Sequence, residues 1–397
     1  MAALLILAAW LVGCVRTVDP RSSIGVGLAI TQAPSSIPVH SEPAPESVPT
    51  RTEPATPAAT PTGGPTGETT RQPAGADRPI ATQLAGPSEA PVTLIPLAGP
   101  VTASEAEVSG LAWYGDYLIL LPQFPRRMSA AADGALFAIP QAELLEFLDG
   151  ERPGPLEPIE IPLVTSGLEK RISGFEGFEA IDFEGEQAFM AIEASAGGAM
   201  MGYLVTGQMA PDLSELRLEQ ASLTRNRPQA NLTNRSDEAL LVAGSRVFTI
   251  YEANGAEVNP DPQVHMFDFD LSPEGTLAFP QIEYRVTDAT GLDDHGRFWV
   301  INFNYQGDTD VQTGQDPLAE QFGQGPSHAR SASVERLLEL QLGHDGITLS
   351  GTQPVQLQLL GDIAPRNWEG LARLEGRGFL LVTDKFPLTM LAFVPEP

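Results

Sequence analysis

The sequence predicts an all-β fold for residues 92–397, a single β-propeller, on three observations. A short motif recurs five times with a glycine at its centre. Every copy is followed by further strand-like segments, so each copy opens one repeated unit. The last copy lacks a fourth segment, while an unpartnered one, VTLIPLA (92–98), precedes the first copy. Units that bury their apolar faces only against neighbours of the same kind are characteristic of propellers.

Taken in chain order, residues 1–14 read as a signal segment. The apolar run AALLILAAWLV (2–12) is too short for a permanent membrane span and leads into Leu11-Val12-Gly13-Cys14. That ending resembles a bacterial lipobox. Lipidation of Cys14 is therefore expected, with membrane contact through that lipid alone, on the periplasmic or extracellular side of the cell envelope. No Lys or Arg follows Met1, a departure from the usual charged start, and an ordinary cleaved signal is the other reading. Cys14 is also the only cysteine, which excludes an intrachain disulfide framework and thiol catalysis in the domain.

Residues 15–91 are rich in Pro, Thr, Ala, Ser and Gly and poor in large apolar side chains. Such a composition cannot offset the entropy of ordering, so a disordered, semi-extended tether is expected there.

The five motif copies are SGLAWYGDYLILLPQ (109–123), EAIDFEGEQAFMAIE (179–193), EALLVAGSRVFTIYE (238–252), TGLDDHGRFWVINFN (290–304) and EGLARLEGRGFLLVTD (369–384). Gly115, Gly185, Gly244, Gly296 and Gly376 mark the turns of five hairpins, where a positive φ costs glycine least. The arm after each glycine is a nearly unbroken apolar run, as expected of a strand buried on both faces. Third strands are expected at ALFAIP, MGYLVTG, VHMFDFDL, ERLLELQL and TMLAFVP. Fourth strands are expected at PIEIPLV, LRLEQASL, LAFPQIEYRV and VQLQLL. The segment at 92–98 then closes the ring by completing the final blade. Five blades are counted, and a sixth, irregular one stays open. An insertion over 306–333, rich in Gly, Gln and Asp, is expected to form a solvated lid.

The net charge of −28, from 51 acidic and 23 basic residues, argues against binding to nucleic acid or anionic lipid surfaces. An antiparallel hairpin brings its first and last residues together. Glu179 is thus expected beside Glu193, Glu238 beside Glu252, and Glu369 beside Asp384, with Ser109 beside Gln123 and Thr290 beside Asn304. Carboxylates gathered at one mouth need cations. A hard metal such as Ca²⁺ would serve, and so would the basic loop residues Arg126, Arg127, Lys170, Arg171, Arg225, Arg227, Arg235, Arg366 and Lys385. The alternative role for these acids is structural, capping backbone N–H groups or tying blades through arginine. Asp308, Asp310 and Asp316 lack the full spacing of a calcium loop, and His265, His295, His328 and His344 lack ligand spacing. No GxSxG elbow, P-loop or HExxH helix is present.

The motif copies resemble the phytase-like, esterase-like family of secreted propellers, with its repeated EG(L/I)A…DG…(D/E) segments. The matching residues are Asn367-Trp-Glu369-Gly370-Leu371-Ala372 running to Asp384, Phe175-Glu-Gly177-Phe178-Glu179-Ala180 running to Glu193, and Asn234-Arg235-Ser236-Asp237-Glu238-Ala239-Leu240 running to Glu252. The third has Glu-Ala in place of Glu-Gly, and the copies with Ser109 and Thr290 depart from the acidic pattern. The resemblance implies metal-assisted hydrolysis of phosphate esters at the mouth. It makes Glu179, Glu238 and Glu369 the catalytic candidates. Glu193, Glu252, Asp384 and Asn304 would hold Ca²⁺ or another divalent metal, and Arg171, Arg235, Arg366 and Lys385 would hold an anionic small-molecule substrate. A non-catalytic propeller lipoprotein that captures a ligand or partner, and a lactonase-like carboxylic esterase, stay open beside it.

Overall fold

The computed structural model describes residues 87–129, 133–311, 315–360 and 365–397. Cys14 and the expected tether up to residue 86 lie outside these residues. Five antiparallel blades form the fold. Blade 1 is built from Val108–Tyr114, Tyr117–Pro122, Ala135–Pro140 and Ile159–Val164. Blade 2 comprises Phe175–Glu184, Gln187–Ala196, Ala199–Met209 and Leu216–Leu218, with Thr224–Asn226 added on the third strand. Blade 3 is Asp237–Ala243, Arg246–Tyr251, Gln263–Asp268 and Pro273–Ala278. Blade 4 is Arg285–Ala289, Arg297–Asn304, Val334–Leu342 and Val355–Leu357, with Ile347–Leu349 beside its third strand. Blade 5 is Trp368–Leu374, Gly378–Thr383 and Leu391–Pro395, completed by Thr93–Ile95.

That last pairing closes the ring as expected: Thr93, Leu94 and Ile95 lie opposite Phe393, Ala392 and Leu391. The folded chain starts a little earlier, since Glu89–Ala90 pairs in parallel with Val355–Leu357 of blade 4. The N-terminal segment therefore joins the fourth and fifth blades. Blades 1 and 2 are also stitched edge to edge, through Leu216 opposite Leu163.

The apolar runs are explained by five core clusters, one at each blade-to-blade interface. In the run Leu118–Leu121, Leu118 and Leu120 pack against Leu380 and Val382 of blade 5, and Ile119 and Leu121 against Phe178 and Met190 of blade 2. Successive side chains of a strand point to opposite faces, so a strand covered on both sides has no polar position to spare. All five motif glycines have positive φ, between 54° and 73°.

Two expected fourth strands differ. LRLEQASL forms a strand only over Leu216–Leu218. LAFPQIEYRV divides: Pro273–Ala278 is the outer strand of blade 3, and Arg285–Ala289 is the innermost strand of blade 4. Pro280 lacks the N–H a continuous strand would need there.

The insertion is fastened to the ring over its described residues. Asp316 caps the helix Pro317–Phe322 through Ala319 N (3.1 Å) and accepts both terminal nitrogens of Arg336 at 2.9 and 3.0 Å. Leu318 enters the core between blades 3 and 4. Among the described residues no helix is long and apolar enough to cross a membrane.

Candidate functional site

The inner hairpins share a β-bulge at the end where the candidate acids lie. Ser109, Glu179, Glu238 and Glu369 are each skipped by the ladder, falling between Val108 and Gly110, Phe178 and Ala180, Asp237 and Ala239, and Trp368 and Gly370. A bulge turns an unpaired residue out of the alternating pattern and re-aims its side chain. Here it delivers side chains from separate blades to one opening. In blade 4 the bulge takes two residues, Thr287 and Asp288, between Val286 and Ala289.

The bulge corrects the expected pairings. Glu193 faces Gly177 rather than Glu179. The N–H groups of Glu252 and Asp384 donate to Ser236 and Asn367, two residues before the bulged glutamates. In blade 4 the residues at this end are Arg285 and Phe303, which face each other. Thr290 sits past the end of the inner strand, its N–H bonded to Trp299 O at 2.8 Å. Asn304 is buried and donates to Ala332 O at 2.7 Å, away from the cavity lining. Thr287 is the true counterpart of Ser109. Each hydroxyl donates at 2.6 Å to the carbonyl just before a neighbouring blade's glutamate, Phe178 O and Trp368 O.

The mouth is a cavity of about 490 Å³ lined from all five blades, including Glu179, Glu193, Glu238, Glu369 and Asp384. Arg285 lines it and bonds acids from two blades. Its Nε donates to Glu252 Oε1, its Nη1 to Asn367 Oδ1 at 2.9 Å, and its Nη2 to Glu238 Oε2 at 3.3 Å and Glu369 Oε1 at 2.9 Å. Arg235 is the second buried cation. It donates to Glu252 Oε1 at 2.9 Å, Asp308 Oδ1 at 3.1 Å and Asp310 Oδ2 at 3.1 Å. The insertion's two aspartates are thus held by a guanidinium. Lys385 pairs with Glu107 at 3.1 Å.

Two of the expected substrate cations do not line the cavity. Arg366 is fully buried between blades 4 and 5, bonded through Nε to Glu335 Oε2 at 2.8 Å, an oxygen that also accepts Trp368 Nε1. Arg171 is exposed and donates to Gln220 Oε1 at 2.8 Å. Glu252 is buried beneath the mouth, behind the lining residues.

Electrostatics follow from this burial. Burial, reinforced by the Glu193 carboxylate, pushes Glu179 well above the usual carboxylate range. Burial and Glu252 do the same to Glu238, with Arg285 pulling the other way. Burial lifts Glu193 to about 7, with Glu252 adding to it. Glu369 is also lifted to about 7 by burial, against the pull of Arg285. Desolvation raises Asp384 as well. Glu193 Oε2, Glu252 Oε2 and Asp308 Oδ2 are buried without a hydrogen-bond partner. Among the described residues no three His, Cys, Asp or Glu side chains converge as metal ligands do, and a guanidinium stands between the acids.

Sequence reasoning missed Arg285, because the fourth copy's register was set from Gly296. The signal available was Thr287, a hydroxyl residue two positions after an arginine and bordering an apolar strand.

No family model and no curated protein matches the chain. Among solved structures it is similar to an exo-1,5-α-L-arabinanase from a bovine ruminal metagenomic library, at 9% identity and a TM-score of 0.40, covering 73% of this chain and 97% of that one. It is similar to a thermostable family-43 glycoside hydrolase, at 9% identity and 0.42, covering 73% and 93%. It is also similar to the GH32 β-fructofuranosidase of Bombyx mori, at 10% and 0.41, covering 74% and 62%. The expected membership of the phytase-like family is corrected: no family model matches the chain. Phosphate-ester hydrolysis, which rested on that resemblance, falls with it. Neither the lactonase-like nor the non-catalytic reading gains support.

Proposed function

We propose that the mouth hydrolyses a glycosidic bond in an uncharged saccharide, with Glu238 as proton donor and Glu369 as the attacking carboxylate. The supporting observation is the way Arg285 joins these two groups. Both accept from its Nη2, at 3.3 and 2.9 Å. Near-linear bonds from one nitrogen space the two oxygens roughly 5 Å apart. A carboxyl pair at about that separation acts as acid and nucleophile in retaining glycoside hydrolysis. Because Nη2 fills the gap between these two oxygens, the sugar would be met by the second oxygen of each carboxylate.

Their surroundings make the two residues unlike. Glu369 Oε1 also receives Asn367 Nδ2 at 2.5 Å, and donors favour the ionised form. Glu238 receives only the longer bond and is raised by burial and by Glu252. Two like groups whose environments separate an acid from a base are what acid–base hydrolysis requires. Glu238 would protonate the leaving oxygen while Glu369 attacks the anomeric carbon. The deprotonated Glu238 would then activate the water that releases the sugar.

The charge of the substrate follows from the same contacts. Arg235, Arg285 and Lys385, the basic residues of the lining, each already hold a carboxylate. An anionic substrate would have to displace an internal partner. Sugar hydroxyls, by contrast, can donate to Glu179 and Glu193 and bond with Ser109 and Asn234 of the lining.

The test is release of reducing sugar from a panel of neutral oligosaccharides and aryl glycosides. Glu369→Gln and Glu238→Gln should each lower kcat by roughly 10²–10⁴-fold with the fold intact. The Glu238→Gln loss should shrink on aryl glycosides whose leaving group needs no proton. A folded protein that releases no sugar from any member of the panel overturns the proposal.

A further inference from the structure

We infer that Arg285 is a counter-ion built into the chain, standing where a divalent cation would otherwise hold the mouth's acids together. This goes beyond the hydrolytic reading and does not depend on it. The guanidinium bonds Glu238 and Glu252 of blade 3 and Glu369 and Asn367 of blade 5, from a position in blade 4. Asp308 Oδ2 lies 3.9 Å from its Nη1. The Phe303 ring lies beneath it, 5.6 Å from Cζ to the ring centroid. The group is thus walled by acids and by an aromatic face, with Arg285 only 7% exposed.

The geometry favours a guanidinium over a metal. Calcium needs six or more oxygens drawn to about 2.4 Å from one point. A guanidinium sends its five N–H bonds outward in a plane and accepts acids that stay apart. Four partner groups occupy this fork, and Glu252 Oε1 links it to Arg235, which in turn holds Asp308 and Asp310. Two fixed cations therefore neutralise acids from blades 3, 4 and 5. Arg285 is a positioning residue: it sets where Glu238 and Glu369 lie without reacting.

Thermal unfolding tests this without reference to turnover. The wild-type Tm should be unchanged by millimolar calcium or by EDTA. Arg285→Ala removes one partner of a buried charge cluster and should lower Tm by roughly 10 °C. Millimolar guanidinium should then restore a measurable part of the loss, which a packing defect would not allow. A wild-type Tm that rises with calcium and falls with EDTA overturns the inference. So does a folded Arg285→Ala protein that keeps the wild-type Tm or ignores added guanidinium. Should Arg285→Ala not fold, Arg285→Met combined with Glu252→Gln is expected to fold, because it removes a negative charge with the positive one. Failure of that double variant to fold would mean that shape, not charge, was lost, and would refute the counter-ion role.

Discussion

Asp288, in the bulge of blade 4, shows how single side chains hold the inner ring together. Its carboxyl accepts from its neighbour Ala289 N at 2.8 Å, from Leu371 N of blade 5 at 2.7 Å and, more loosely, from Leu111 N of blade 1 at 3.5 Å. Asp182 of blade 2 does the same for Val242 N of blade 3 at 2.8 Å. Inner strands have no ladder partner on the axis side, so these N–H groups would otherwise be buried and unmet. Burial pushes Asp288 well above its ordinary value and Asp182 up to about 6, despite the backbone donors. The structure needs the acceptor oxygens more than the charge. Asp288→Asn keeps one acceptor oxygen but turns an NH2 toward the donors of the other, so it should cost about 1–2 kcal/mol at neutral pH. Asp288→Ala, which orphans all of them, should cost about 2–3 kcal/mol. The sign of the pH effect follows from the raised values. The folded chain keeps protons that the unfolded chain loses near pH 4, so this stability is full below that point and fades as pH rises through the folded values. Urea midpoints should fall from mildly acid to mildly alkaline pH in the wild type, and less steeply in Asp288→Asn.

At the scale of the element, the hairpin and its bulge decide what could be read in advance. Turn glycines and apolar runs located the five inner hairpins, because φ > 0 and two-sided burial leave direct marks on composition. A bulge leaves almost none: the same alternation continues, one residue out of step. Glu179, Glu238 and Glu369 were nonetheless placed at the mouth, since their bulges are small and lie equally far from the turn. Blade 4 skips two residues and has a longer loop before Gly296, which moved its mouth position from the expected Thr290 to Thr287 and hid Arg285 in a supposed outer strand. The scattered basic residues misled for another reason. Loop position does not tell an arginine that points inward, such as Arg235, from one that joins two blades, such as Arg366. Close approach of the inner strands also dictates Gly370. A Cβ there would lie 2.6 Å from Val382 Cγ1 and 3.0 Å from Leu111 N of blade 1. Gly370→Ala should cost roughly 1–3 kcal/mol by overpacking, and it adjoins Glu369. Urea unfolding measures the cost, and a neutral substitution would mean that blades 5 and 1 can move apart.

Across the whole molecule, stability rests on closing a ring in which Thr93–Ile95, from near the start of the folded chain, completes the blade that holds the last strand. Blade 5 has only three strands until Thr93–Ile95 is added, and Ile95 is buried in the cluster shared by blades 5 and 1. Without that strand, Leu391–Pro395 becomes an open sheet edge with unpaired backbone groups, a template for pairing with another chain. The same segment carries Glu89, whose Oε1 accepts from Ser327 N and Oγ at 2.7 Å and lies 3.1 Å from His328 Nδ1, which fastens the insertion to blade 4. The insertion that begins beside Tyr305 and Asp308 is thus held at its far end by the closing segment. A protein beginning at residue 87 should match the Tm of one beginning at residue 15. One beginning at residue 97 should lose well over 5 °C, since it forfeits several kcal/mol of buried side chains and strand pairing, and should run as larger species on size exclusion. If that shorter protein instead stays monomeric at an unchanged Tm, the three-stranded blade is stable by itself, and the N-terminal strand would only decorate a ring already complete.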